Sequence, residues 1–348
     1  MSIDRAAYSD PATFDAELAR IFSDRMCVGS VYDLPAVNDY LSLLVGNRAI
    51  TVRHTPDGVR AINNVCLHRN ALIDPPGSGN RAFRCNYHGW SYRSDGTLEH
   101  APLAEEAAIC ERQLIRYTVA ESNGIYYVGL GATPDVSDTR IAFDKLRMTL
   151  AEPFGRGTLD HACNWKLLVE NVMEGYHLSY VHKETFVQAG FTSTANYHHE
   201  MEGSVSWSTM TPRQGHGNDR SSQYRRISQD AGHYYNHAFV FPNLFLANSN
   251  GLIGFMSYLY PVSTSHTRLE WALFELPALT ALAPSIREHF RNDALSFANA
   301  TLLEDKALVE SCQRGISSVG TACQFQPNES RIRHFHLMYQ ESMSATSR

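Results

Sequence analysis

CLHRNALIDPPGSGNRAFRCNYHGW, residues 66–90, holds two mixed Cys/His pairs. Cys66 and His68 form C-x-H, and Cys85 and His88 form C-x-x-H. Two thiolates and two imidazoles, carried on two loops, can ligate a zinc ion or a two-iron cluster. One such pair is a weak signal, because a free cysteine is more often a small buried hydrophobe. Two pairs in one strand-rich block are a strong one. Zinc fingers group cysteines with cysteines and histidines with histidines. Here each pair mixes the two, which suits a cluster with one iron on two Cys and the other on two His. The run Pro75-Pro76-Gly77-Ser78-Gly79 is expected to carry the chain across between the pairs. Trp90 is placed to shield the site from water.

The flanking texture is β. Residues 41–66 (LSLLVGNRAITVRHTPDGVRAINNVC) read as short strands, with Thr55-Pro56-Asp57-Gly58 a turn. A strand through Phe83 and a second hairpin turn at Ser94-Asp95-Gly96 follow. Strand-like IYYVGLG (125–131) closes the block, and the loop 131–137 ends it. Upstream, residues 8–26 predict a helix: Asp10 caps, Pro11 suits the first turn, and Phe14, Leu18, Ile21 and Phe22 recur at helical spacing.

A second constellation lies in residues 164–186, NWKLLVENVMEGYHLSYVHKETF. Trp165 to Tyr180 reads as helix, with Trp165, Leu168, Val172 and Tyr176 on one face. Glu174 and His177 are three apart and share that helix's surface. His177 and His182 are five apart, about 140° around an ideal helix, so they reach one metal only if the helix ends or distorts between them. Two histidines and one carboxylate with open positions form the facial triad of non-haem Fe(II) oxygenases. Asp305, in LLEDKALVESCQRG on a final helix entered at Pro284, is the expected third ligand, with its neighbour Glu304 the rival.

Composition narrows the class. The chain has 348 residues, 30 Lys plus Arg against 36 Asp plus Glu, and a formal charge of −6, which suggests no nucleic-acid surface. It is 43% hydrophobic and 19% charged, as ordinary globular proteins are. Histidines number 16, and seven scattered cysteines make no disulfide framework. The N-terminus lacks the pattern of a secretory signal, and no unbroken apolar span of about 20 residues exists. A cytoplasmic protein with no membrane partner is therefore expected.

Together these residues resemble the large (α) subunit of Rieske non-haem iron oxygenases. The likeness spans most of the chain: the N-terminal helix, the two Cys/His pairs with HGW after the second, NWK…EN…YH…H, and ED…QRG. It implies an α+β fold. An all-β Rieske [2Fe-2S] domain (36–135) would be inserted near the start of a helix-grip catalytic domain (136–348, with 1–35 as its N-terminal helical part), an antiparallel sheet around a long C-terminal helix. It also implies that Cys66 and Cys85 hold one cluster iron and His68 and His88 the other, while His177, His182 and Asp305 hold a mononuclear Fe(II). Glu174 stands where the family often has Asp. That carboxylate would couple the mononuclear iron to a neighbouring subunit's cluster in a homotrimer. Glu at this place is expected of relatives that oxidise quaternary ammonium compounds. A second departure is Asn70, where His-Arg-Gly is usual.

The implied activity uses O2 and electrons from NAD(P)H, delivered through a ferredoxin or a flavin/iron–sulfur reductase, to hydroxylate or oxidatively demethylate a small aromatic or quaternary-ammonium substrate. Monooxygenation is favoured. A cis-dihydroxylating aromatic-ring dioxygenase, a Rieske electron carrier without oxygenase activity and a structural zinc protein are the alternatives. Phe186, Phe191, Trp207, Phe239, Phe241, Asn243 and Phe245 are candidate pocket walls. The Arg-rich stretch 212–226, with Arg213, Arg220, Arg225 and Arg226, reads as a loop. His198, His199, His334 and His336 are expected at the surface or in packing.

Overall fold

The computed structural model describes residues 2–104, 112–212, 221–229, 231–318 and 324–345. Cys110, Cys323, Arg213 and Arg220 fall outside them. The fold is α+β, in two compact units: Glu17–Val136, and Met1–Ala16 together with Ser137–Arg348. Among the described residues no helix is long and apolar enough to cross a membrane.

The regular structure of Glu17–Val136 is nearly all strand, joined by turns and loops. Its elements are β1 (Met26–Ser30), β2 (Asp39–Val45), β3 (Arg48–Thr55), β4 (Gly58–Asn63), β5 (Gly77–Asn80), β6 (Ser91–Tyr92), β7 (Leu98–His100), β8 (Arg116–Ser122) and β9 (Ile125–Gly129). Seven of them form an antiparallel sheet in the order β1-β9-β8-β4-β3-β2-β5, and β6 pairs with β7. Both expected hairpin turns are present. At the second, the Asp95 carboxylate accepts the Thr97 N–H at 2.9 Å.

Two readings need correction here. Helix α1 runs only Pro11–Arg20, with the Thr13 N–H on Asp10 Oδ2 at 2.8 Å. Ile21 and Phe22 are buried on a turn, so apolar spacing outran the helix, and Met26 already belongs to β1. Gly77–Asn80, expected within a crossing loop, is an edge strand hydrogen-bonded to β2. All four of its residues are exposed, so no apolar pattern announces it. Phe83 lies beyond that strand, under the Arg53 guanidinium at 4.7 Å from the ring centre.

The link between the two Cys/His loops is fixed by a buried polar knot. Asp74 accepts from the Arg53 guanidinium and, at 2.7 Å, from the Thr51 hydroxyl. Asn64, two residues before Cys66, clasps Asp74 twice: Nδ2 donates to its carbonyl and Oδ1 accepts its N–H, both at 2.8 Å.

The larger unit contains α2 (Ser137–Leu146), β10 (Pro153–His161), α3 (Trp165–Val172), α4 (Leu178–Val181), β11 (Asn196–Glu202), β12 (Val205–Thr211), α5 (Ser221–Arg225), β13 (Tyr235–Val240), β14 (Leu244–Ser249), β15 (Ile253–Ser263), β16 (His266–Glu275), α6 (Pro277–Thr280), α7 (Pro284–Ile316) and α8 (Ser330–Ser344). Its seven strands form an antiparallel sheet in the order β10-β16-β15-β14-β13-β12-β11. Helix α7 is 33 residues, so about 50 Å long. It lays Ala294, Leu295, Ala298 and Leu302 against Ile253, Trp271 and Leu273 of the sheet. The sheet with one long late helix is the expected arrangement, and α8 follows as a further helix. The described end of the Arg-rich stretch, Ser221–Arg225, is the short helix α5 and not loop.

Residues 2–8 dock on this unit. The Ile3 N–H donates to His336 Nδ1 at 2.9 Å, and His336 Nε2 meets Glu170 at 2.9 Å. Tyr8 OH also donates to Glu170, and Lys166 Nζ donates to the Ala7 carbonyl at 2.9 Å. His336 is thus a buried clamp.

Replacing Asp74 by Ala leaves a buried guanidinium without its partner. It should cost about 3–5 kcal/mol and lower the melting temperature, read by circular dichroism.

Candidate metal centres

Helix α3 begins at an Asn164 cap and stops at Val172, eight residues short of the expected end. The break is built at Gly175. A Cβ there would lie 2.2 Å from the Tyr197 hydroxyl, and that hydroxyl donates to Thr192 O at 2.9 Å. Beyond the break, α4 is a single turn with His177 as its N-cap and His182 as its C-cap. Neither histidine is inside a continuous helix, so the 140° separation never arises.

The two rings converge. His177 Nε2 and His182 Nε2 are 3.1 Å apart. Asp305 Oδ1, from α7, is 3.0 Å from the second and 3.6 Å from the first. Among the described residues, this is the one group of three or more His, Cys, Asp or Glu whose ligand atoms all lie within 4.8 Å of one another. Asp305 Oδ1 is buried yet makes no hydrogen bond. Two imidazole nitrogens and an orphaned carboxylate oxygen, facing one point, fit a divalent cation.

Each ring is held from behind. His177 Nδ1 bonds Glu174, and His182 Nδ1 bonds Glu304 at 2.7 Å. A carboxylate on Nδ1 puts the ring proton there and leaves the Nε2 lone pair free for metal. Glu304 therefore stands behind His182 and not in the group of three, where Asp305 stands. Neighbours on a helix are about 100° apart, so one of them faces the centre. Glu174 also caps the turn, accepting the Tyr176 N–H and, at 3.2 Å, the His177 N–H.

The electrostatics follow. Burial alone would lower His177, but Asp305 and Glu174 outweigh it and push it up to about 9. His182 is raised against burial by Asp305 and Glu304. Burial would raise Asp305, and the two imidazoles hold it far below the usual carboxylate range. The arrangement thus favours positive charge at the point that the two Nε2 atoms and Asp305 Oδ1 share.

These residues form one end of a cavity of about 330 Å³, within the range of small-molecule sites. Phe186, Phe191 and Phe245 line it as expected. Trp207, Phe239, Phe241 and Asn243 do not. Trp207 alternates with cavity-lining Ser208 and points the other way, under Lys145 Nζ. Phe239 and Phe241 pack on Phe335, and Asn243 binds the Leu259 carbonyl. His199, expected at the surface or in packing, lines the cavity, as do His161, His233, His237, Ser208 and Arg331, which the sequence did not single out. None carries a local signal, because each is a polar residue that only pairing and packing turn inward.

The two Cys/His loops share one design. Cys66 N–H bonds Ala71 O at 2.9 Å and Asn70 N–H bonds Cys66 O at 3.1 Å; Cys85 N–H bonds Trp90 O at 2.8 Å and Gly89 N–H bonds Cys85 O at 3.0 Å. The residue four after each cysteine is left-handed: Asn70 at φ +59° and Gly89 at φ +73°. Asn is a residue that tolerates that conformation beside Gly, which accounts for Asn70. His68 and His88 occupy the third and fourth places of equivalent five-residue turns, so C-x-H and C-x-x-H are two uses of one loop.

Cys66 and Cys85 are buried, while His68 and His88 are exposed with ring centres 4.5 Å apart. Trp90 stacks on His68 at 4.8 Å, yet His68 stays exposed, so the shielding expected of Trp90 is partial. Burial raises the Cys66 thiol. Tyr92 OH lies 3.1 Å from Cys66 Sγ and accepts the Leu67 N–H at 3.0 Å; toward a Cys66 thiolate it is the donor. A single tetrahedral zinc would draw its ligand atoms to about 3.3–3.8 Å of one another. These four side chains supply no such group of three. The donor set and its spread fit a two-iron cluster.

Comparison with known proteins agrees with this layout. Residues 148–345 match the family model of the ring hydroxylating alpha subunit (catalytic domain), and residues 24–117 match that of the Rieske [2Fe-2S] domain. The carnitine monooxygenase oxygenase subunit of Escherichia coli (strain K12) is 27% identical, over 94% of this chain and 90% of its own. The chloroplastic choline monooxygenase of Beta vulgaris is 27% identical, over 97% and 76%. A crystal structure of a quaternary ammonium Rieske monooxygenase with L-carnitine has the same fold, with a TM-score of 0.75, 21% identity and coverage of 99% and 96%.

Two measurements check the centres. Because His177 holds a proton below about 9, Fe(II) added anaerobically to metal-free protein at neutral pH must displace it. Proton release should appear in calorimetry across buffers, and affinity should weaken as pH falls. Tyr92→Phe removes the hydroxyl beside the Cys66 sulfur; with Cys66 as a cluster ligand, this should lower the cluster's reduction potential in a spectroscopic redox titration.

Proposed function

The chain belongs to the ring hydroxylating alpha subunit family, and from that premise we propose that it hydroxylates, and so can demethylate, a small quaternary-ammonium substrate. It is the oxygenase component of a Rieske system, with a [2Fe-2S] cluster, a catalytic non-haem iron, O2 as co-substrate and electrons from a partner reductase. When bound, the cluster relays single electrons and the mononuclear iron activates O2. The observation that carries the substrate reading is likeness over more than nine-tenths of this chain to monooxygenases of carnitine and choline. Glu174, one CH2 longer than the Asp usual in the family, agrees with it.

The chain's own residues have separate tasks. Cys66 and Cys85 would hold one cluster iron, and His68 and His88 the other. His68 and His88 are exposed, so their imidazole edges would offer the cluster's electron a way out of the domain. His177, His182 and Asp305 would hold the mononuclear iron, each imidazole kept in one tautomer by Glu174 or Glu304. The aromatic wall of Phe186, Phe191 and Phe245 excludes water and suits a trimethylammonium group by cation–π attraction.

Glu174 would be the electronic bridge in a homotrimer. One oxygen already bonds an iron-side histidine, and its carboxylate keeps lone pairs for a cluster histidine of a neighbouring subunit. Inter-subunit electron transfer is described for the quaternary ammonium Rieske monooxygenase structure.

Glu174→Gln should keep both metals, by iron and sulfide analysis and the visible spectrum. It should cut reductase-coupled turnover by at least about tenfold, the usual scale for such an outer carboxylate. Normal multiple turnover with both metals present would remove the bridging role.

A further inference from the structure

Arg331, on α8, is 2% exposed and has no acidic partner among the described residues. Its Nε donates to Ser206 Oγ at 3.2 Å, and Nη2 donates to Ser206 O at 3.3 Å and His237 Nδ1 at 3.0 Å. All of these are neutral, and Nη1 has no acceptor among the described residues. A guanidinium only donates, so His237 Nδ1 must accept, which leaves its proton on Nε2. That Nε2–H is buried and has no partner either. Both side chains line the cavity.

The acids that line the cavity are committed elsewhere. Glu174 bonds His177, Asp305 faces the two ligand histidines, and Asp293 pairs with His289. Around Arg331 the other titratable groups are the imidazoles of His237, His199 and His334 and the phenol of Tyr235, none of them an anion at neutral pH. Burial, then Arg331 itself, lowers His237 well below its usual value and His199 to about 4. His199 Nδ1 also lacks a partner. Burial brings Arg331 down to about 9, which still leaves it charged at neutral pH. An uncompensated buried cation is unfavourable, and an anion supplied by a ligand relieves it.

The subsite lies some way along the cavity from the metal group. The His182 ring is 5.4 Å from Phe186, Phe186 is 5.2 Å from Tyr235, and Tyr235 stacks on His237 at 6.4 Å. A small molecule can therefore anchor at Arg331 and present its other end to His177, His182 and Asp305. We propose that Arg331 and the Nε2–H of His237 form an anion subsite that takes the carboxylate of the substrate. This deepens, and rests on, the oxygenase reading of the same cavity. It selects acids: a betaine with trimethylammonium and carboxylate ends, or an arene carboxylate, over uncharged or purely cationic analogues.

The test uses the intact, metal-loaded protein without reductase, so that nothing turns over. Dissociation constants are measured by calorimetry for two matched pairs, glycine betaine against choline and benzoate against benzamide. The acid should bind at least about tenfold tighter in one pair or both, and the pair that shows it identifies the source of the carboxylate. Arg331→Met should bring that ratio to about one while the neutral or cationic member keeps its affinity. Arg331→Lys should retain part of the ratio. Should Arg331→Met not fold, His237→Leu leaves the Ser206 contacts in place and should reduce the ratio severalfold. No preference in either pair, or a preference unchanged by Arg331→Met or His237→Leu, overturns the subsite. Labelled-oxygen incorporation with reductase is read separately. A carboxylate preference without hydroxylation of any of the four supports the subsite and counts against the oxygenase reading of these substrates. Hydroxylation without a preference does the reverse.

Discussion

Two imidazoles, each pinned through Nδ1 by a carboxylate so that both Nε2 atoms face one buried aspartate, are the constraint on which the larger unit turns. The pins come from different places. Glu174 lies three residues before its histidine, and Glu304 lies 122 residues after its own. The centre therefore forms only when α7 is seated against the sheet and the segment after α3 has left its helix. The remainder of the unit can be seen as support for that meeting. Aromatic and aliphatic side chains of the sheet seat α7, residues 2–8 brace α3 through Glu170 and Lys166, and Tyr197 holds the break at Gly175 open.

The smaller unit answers a different problem, which is to hold two thiols deep and two imidazoles at the surface. Two equivalent turns do this, each ending in a left-handed residue, with Tyr92 and Trp90 closing over the first. The turns are kept in register by the Asp74–Arg53–Asn64 knot beneath them. Buried charge is tolerated there because the Asp74 carboxylate and the Arg53 guanidinium neutralise one another. In the larger unit the opposite arrangement is found: Arg331 is buried beside neutral groups only. One buried charge is spent on architecture, and the other is left for a ligand.

Much of this was legible in the chain before any coordinates. The Cys66/His68 and Cys85/His88 pairs, the hairpin turns at Asp57 and Asp95 and the helix from Pro284 were readable because each is a local pattern of spacing or residue type, whereas nothing local separates Asp305 from its neighbour Glu304. The illegible parts share a cause. β5 is four exposed residues with no apolar alternation, and α1 ended early while its apolar spacing ran on. The far wall of the cavity failed as well. Aromatic content pointed to Trp207, Phe239 and Phe241, yet strand alternation and the contact with Phe335 turn them away.

The sequence by itself determined which chemistry the chain can carry, because ligand spacing within a turn is set by a few covalent links and survives without tertiary context. It also required that a helix carrying His177 and His182 be interrupted, since a regular one could not bring them together. Only the tertiary structure decided where the interruption falls, which carboxylate stands behind each imidazole, and that Arg331, His199 and His237 belong to the cavity at all. Those outcomes depend on side chains brought together from residues 94 and 122 positions apart, and burial and hydrogen bonding over such distances are properties of the folded chain, not of any segment of it.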